Sequence, residues 1–178
     1  MNIAVFGSSK PRPGSPDYEQ AFLLGSLLGK AGHTVLSGGY GGTMEAVSKG
    51  AALAGSHVIG VTCQEIADYR GSTVNSWVKE EICAPTLQDR IITMLNTCDA
   101  AIALPGGAGT LTEIMLAWNR LLIQADRPKP LILIGSGWKQ VIETFYISQG
   151  EHILSADKQW LSFVDDPRGA LDCLNHAA

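Results

Sequence analysis

Ala100-Ala101-Ile102-Ala103-Leu104, followed without a break by Pro105-Gly106-Gly107-Ala108-Gly109-Thr110-Leu111-Thr112-Glu113, reads as a buried strand, a glycine turn and the start of a helix. Four more short apolar runs repeat the strand part: Ile3 to Phe6, Thr34 to Ser37, His57 to Thr62 and Leu131 to Ile134. Strands apolar on both faces belong to a parallel sheet covered by helices on each side. Helical segments separate them. Ser15-Pro16-Asp17 starts one and Gly32 ends it, with Tyr18, Ala21, Phe22, Gly25 and Leu28 as its inner stripe. Others are expected over Thr43 to Ala54, with Met44, Val47 and Ala51 inward, and over Thr86 to Thr97, with Leu87, Ile91, Met94 and Leu95 inward. Two more should run from Thr110 to Gln124 and from Trp138 to Gln149. The expectation is an α/β, Rossmann-like, doubly wound parallel sheet with helices on both faces, forming a single nucleotide-binding domain over residues 1–178.

Residues 63 to 85 are polar and without period, and read as a loop with a short helix or as a segment beside the ligand crevice. The last thirty or so residues read as peripheral closing elements, with a short apolar piece from Trp160 to Val164 and a final helix.

At 178 residues and 46% hydrophobic, the chain can bury one substantial core. A net charge of -4 leaves no electrostatic footprint for nucleic acid. Cys63, Cys83, Cys98 and Cys173 are far apart and show no metal or disulfide spacing, and the histidines form no ligand set. No metal and no cofactor are expected. The N-terminal stretch has no signal-peptide pattern and no apolar run reaches membrane-spanning length, so a cytoplasmic protein without membrane partners is expected.

Three strand ends lead into glycine turns: Phe6-Gly7-Ser8-Ser9, Ser37-Gly38-Gly39-Tyr40-Gly41-Gly42-Thr43 and Pro105 to Glu113. A helix starting after such a turn offers unpaired N–H groups and its positive dipole end to an anion. Gly7, Ser8, Gly38, Gly39, Gly41, Gly106, Gly107, Gly109 and Thr110 are therefore candidates for holding a phosphate. No Gly-Lys-Ser/Thr tripeptide follows any of the turns. Gly7-Ser8-Ser9-Lys10 is not a dinucleotide fingerprint, and Ser37-Gly38 stands where that motif needs an acid. A mononucleotide fits better. Two charged residues fall beside these turns. Glu113, taken alone, is more often a helix cap, and Arg90 a solvated helix arginine. With the turns they compose an anion clamp beside a carboxylate. Asp89 could be a second site carboxylate or an exposed helix acid.

The second turn, Arg90 and Pro105 to Glu113 together resemble the LOG family of nucleotide phosphoribohydrolases, often mislabelled lysine decarboxylases. The family signature PGGxGTxxE is matched at every fixed position, and the resemblance extends from the first strand to about Ile142. It implies a Rossmann-like fold, a homodimer or higher homo-oligomer, and a small-molecule nucleotide monophosphate as ligand. It further implies cleavage of the N-glycosidic bond of an AMP- or cytokinin-type nucleoside 5′-monophosphate to free base and ribose 5-phosphate. By resemblance Gly106, Gly107, Gly109 and Thr110 hold the phosphate with Ser8 and Gly41 nearby, while Glu113 and Arg90 are catalytic. Members commonly carry Met-His-x-Arg-Lys around the arginine, where this chain has Leu87-Gln88-Asp89-Arg90-Ile91. Met44-Glu45-Ala46 also resembles the molybdenum-cofactor carrier proteins, which implies the alternative of a non-catalytic nucleotide or cofactor carrier of the same fold.

Overall fold

A computed structural model describes residues 1–177. Its centre is a parallel sheet of seven strands: β1 (Asn2–Phe6), β2 (Thr34–Ser37), β3 (Val58–Cys63), β4 (Glu80–Ala84), β5 (Ala100–Ala103), β6 (Leu131–Ile134) and β7 (Leu161–Val164). Their order is β4-β3-β2-β1-β5-β6-β7. β1 is thus the strand from which the chain first winds outward one way, then returns to β5 and winds the other. Ligands of such sheets bind outside the strand carboxyl ends at that reversal.

Alternation along β1 builds a core on each face. Ile3 and Val5 pack with Leu24, Leu28, Val47 and Ala51 of α1 (Pro16–Lys30) and α2 (Thr43–Leu53). Ala4 and Phe6 face the other way, towards Ile91, Met94 and Leu95 of α4 (Leu87–Thr97) and Ile114 and Trp118 of α5 (Ala108–Leu122). α6 (Ser136–Gln149) adds Trp138 and Ile142 to this second core, and α7 (Pro167–Ala177) adds Ala170 and Leu174 to the first. Between β3 and β4 lies α3 (Gln64–Arg70). α1 and α2 approach closely because both contacts are glycines. A Cβ on Gly25 would run into the Val47 carbonyl, and one on Gly50 into that of Phe22.

Four expectations need correction. The irregular stretch contains β4, and the apolar piece near the C-terminus is β7, a member of the sheet. Both are edge strands paired on one side only, and Glu80 and Glu81 give β4 the charged character of such strands. α5 begins two residues before the expected Thr110. Leu87 is 42% exposed, because it opens α4 beyond the sheet and only the later turns lie on it. Among the described residues no helix is long and apolar enough to cross a membrane.

Candidate functional site

The β5–α5 turn makes the first wall. Leu104 donates its N–H to the Phe6 carbonyl at 3.0 Å, so β1 and β5 are still joined where their turns diverge. α5 has Gly107 as its N-cap, with no side chain capping it and no acid in its first turn. The first intrahelical bond at this end runs from Leu111 to the Gly107 carbonyl, which leaves the N–H groups of Ala108, Gly109 and Thr110 without a helical acceptor. Gly107, Gly109 and Thr110 line a cavity of about 330 Å³. Gly106 does not, but a Cβ there would run into the Thr110 side chain, so it admits the turn that brings Thr110 inward.

The other two glycine turns divide the work. Thr43, the first residue of α2, donates both its N–H (2.9 Å) and its hydroxyl (3.0 Å) to the Ser8 carbonyl. The N-terminus of α2 is therefore partly spent on seating the first turn. Gly42, at φ 73°, lies so close under Ser8 and Ser9 that a Cβ would strike their backbone. Gly7 and Ser8, seated in this way, line the cavity together with Ser9 and Lys10. Gly39 and Gly41 do not. Gly39 is instead clamped from behind, its carbonyl accepting from the Asn75 side chain at 3.0 Å, as does that of Tyr40. Gly38 does line the cavity, and its reason is steric: a Cβ would occupy the place of the Arg90 guanidinium.

Arg90 and Glu113 meet at the bottom. Neither is a surface residue: Arg90 is 5% and Glu113 7% exposed. Nη1 of Arg90 donates to Oε1 of Glu113 at 3.3 Å. Nε donates to the Val61 carbonyl at 2.7 Å, on a part of β3 beyond its last pairing with β2, Ser37 with Gly60. Nη2 reaches Sδ of Met44 at 3.9 Å, and the guanidinium carbon lies 6.0 Å from the centre of the Tyr40 ring. Tyr40 is itself fixed, its hydroxyl exchanging two 3.0 Å hydrogen bonds with the backbone of Cys63. Five donor N–H groups and three partners leave Arg90 capacity for an anion in the cavity.

Glu113 is in the second turn of α5 and caps nothing. Burial raises its pKa from 4.5 to about 7, the nearby Arg90 charge and its hydrogen bond opposing that rise. Desolvation wins because the one bond to Arg90 is long and the guanidinium is shared with Val61 and Met44. A carboxyl that titrates near neutrality can serve as carboxylate or as proton carrier in one pH range. Asp89 is not in the cavity. It is exposed and takes part in the α4 cap, its N–H donating to the Thr86 hydroxyl at 3.1 Å.

Several lining residues were not named as site candidates from the sequence: Lys10, Tyr40, Met44, Ile66, Tyr69 and Leu87. Tyr40 stands between two glycines, and Lys10 and Met44 follow the first two turns within three residues of a glycine, which was the available signal. Ile66 and Tyr69 lie on α3, within the aperiodic stretch, which thereby does border the cavity, though nothing local marks these two residues. Among the described residues no group of three or more His, Cys, Asp and Glu could hold a metal ion.

The model of the SLOG cluster4 family matches residues 1–160. The chain belongs to this LOG-type family. A rice relative named as a probable cytokinin riboside 5′-monophosphate phosphoribohydrolase is 30% identical over 175 residues, covering 95% of this chain and 74% of the relative. The cytokinin riboside 5′-monophosphate phosphoribohydrolase of Mycobacterium tuberculosis is 28% identical over 137 residues, covering 74% of this chain and 69% of that one. Among solved structures, the molybdenum cofactor binding protein of Rippkaea orientalis superposes with a TM-score of 0.77 at 24% identity, covering 99% of this chain and 96% of that one. The family fold is therefore shared by proteins named for hydrolysis and proteins named for binding. In this member the position after Arg90 is Ile91, 4% exposed and packed into the core.

Proposed function

We propose that this LOG-type chain hydrolyses the N-glycosidic bond of a purine nucleoside 5′-monophosphate, of AMP or cytokinin type, giving free base and ribose 5-phosphate. The observation that carries the reading is the buried Arg90–Glu113 pair in the same cavity as the uncapped N-terminus of α5. The 5′-phosphate sits on the free N–H groups of Ala108, Gly109 and Thr110, with the Ser8 hydroxyl and Lys10 beside it. That anchor fixes the ribose relative to Glu113. As the bond from the anomeric carbon to the base nitrogen breaks, its electron pair leaves with the base and positive charge grows on the ribose. The Glu113 carboxylate stabilises that charge and orients the attacking water. The water oxygen bonds the anomeric carbon, one water proton stays in the new hydroxyl and the other ends on the base. Arg90 holds Glu113 in place and uses its remaining N–H groups on phosphate or ribose oxygens.

One observation favours a second reading, a carrier that binds a phosphate-bearing ligand and leaves it intact. Ile91 gives the cavity an apolar wall where many family members have Lys, so the site carries one charged group fewer for catalysis. Incubation with AMP and with N6-substituted AMP, followed by chromatography of the bases and an assay for ribose 5-phosphate, separates the two. Hydrolysis yields both products in equal amounts; a carrier returns intact nucleotide after hours.

A further inference from the structure

Tyr69 is 86% exposed, and yet it lines the cavity. An exposed aromatic ring on a short surface helix has no stabilising role in the core. A ring at the mouth of a ligand cavity offers a flat apolar surface instead. Ile66, one helical turn before it on α3, lines the same cavity, and so does Leu87 at the start of α4. The placement of these groups is enforced. Oε2 of Glu65 accepts the N–H of Leu87 at 2.8 Å, a bond across 22 residues that ties α3 to the first turn of α4. Neighbouring Ile66 and Tyr69 are thereby held beside Leu87.

The strand order sets the distance from the anion end. α3 follows β3 and α5 follows β5, and these strands are separated by β2 and β1. At ~4.8 Å per strand the two turns lie roughly 14 Å apart. A ligand touching both must extend well beyond a bare phosphate. The groups at the two ends also differ in kind. Amide N–H groups, hydroxyls and Lys10 belong to the turns after β1 and β5, whereas Ile66, Tyr69 and Leu87 are contributed by α3 and α4. Among the described residues no Asn, Gln, Asp or His side chain lines the cavity to read the edge of a base.

Resting on the nucleotide-monophosphate reading of the site, we infer that Tyr69, flanked by Ile66 and Leu87, is the platform on which the base stacks, and that the base is selected by its flat apolar surface and shape. Glu65 is the positioning residue of this platform. Bases with larger apolar surface bind more tightly, and base identity changes affinity less than loss of the ring does.

The test uses the full chain and calorimetric binding of two probes. One is carbocyclic AMP, whose ring oxygen is replaced by a methylene so that the base cannot leave by glycosidic cleavage; the other is ribose 5-phosphate. Tyr69→Ala should weaken the carbocyclic nucleotide about tenfold, in line with the loss of one base–aromatic stack. Tyr69→Phe should keep its affinity, because the ring and not the hydroxyl carries the effect, and ribose 5-phosphate should bind both variants as it binds the wild type. Unchanged carbocyclic-AMP affinity in Tyr69→Ala overturns the inference. An equal loss for ribose 5-phosphate does so too, since the residue would then be supporting the whole site. Cleavage of AMP is scored separately, on the wild type: AMP recovered intact from it sinks the hydrolase reading, while a selective loss of carbocyclic-AMP affinity in Tyr69→Ala leaves the platform standing.

Discussion

At the scale of single residues, the site depends on one ion pair and the space made for it. In the proposed hydrolysis Glu113 must be ionised to stabilise a developing cation, and burial raises its pKa to about 7. The predicted kcat/KM for AMP therefore rises with pH through neutrality and levels off above it, as a pH profile would read directly. Arg90 works against the burial of Glu113. Arg90→Met removes that help, so the carboxyl should titrate above 7 and be mostly neutral at physiological pH, measurable by NMR of a labelled glutamate carboxyl. The Val61 carbonyl would also lose its partner. Gly38 has a steric role that its neighbours Gly39 and Gly41 lack, because only there does a Cβ meet the guanidinium. Gly38→Ala should push Arg90 out of line and cut turnover by about 100-fold or more, with a stability loss of about 1–3 kcal/mol in urea unfolding.

At the scale of elements, periodicity revealed most of the architecture, and the misses have a common physical origin. β2 and β6 are expected and found with the same bounds, because β6 is apolar throughout and β2 puts Val35 and Leu36 into opposite faces of a covered sheet. β4 is an edge strand with exposed Glu80 and Glu81, so neither alternation nor a continuous apolar run announces it. α3 is short and follows β3 directly, and its contribution to the site depends on the Glu65–Leu87 bond, a contact between residues far apart in sequence. The division of labour among the three glycine turns was hidden for the same reason. Similar glycines serve different ends: Gly42 makes room for Ser8 and Ser9, and Gly106 for Thr110. The close approach of α1 and α2 supplies a test at this scale. Gly50→Ala places a Cβ against the backbone carbonyl of Phe22, which cannot rotate away. The helices must separate, and urea unfolding should show a loss of about 1–3 kcal/mol at unchanged m-value.

At the scale of the whole molecule, the site has a cost that stability measurements can detect. The pKa of Glu113 is raised on folding, from 4.5 to about 7. Below 4.5 the carboxyl is neutral in both states; between the two values the unfolded chain ionises first, so folding becomes less favourable as pH rises, and above about 7 the difference is constant. Its contribution to stability therefore falls by about 3 kcal/mol across that window, and in Glu113→Gln this part of the pH dependence should vanish. A protein that kept a buried carboxyl whose arginine partner does not offset its desolvation would, if packing were its only role, gain by losing it. The place of Glu113 in a cavity, beside an arginine with N–H groups to spare, is what supports the proposed hydrolysis.

The most direct test of this account is the rate of ribose 5-phosphate release from AMP by wild type and by Glu113→Gln, with both shown to be folded by circular dichroism. The replacement keeps the shape of the side chain and a hydrogen-bonding oxygen for Arg90, removes the negative charge and the titratable proton, and turns one acceptor oxygen into an NH2 donor. The account predicts release by the wild type and a fall of about 100-fold or more in the variant, in line with the loss of one electrostatic stabiliser. Equal rates in the two proteins, or intact AMP from the wild type, would contradict it.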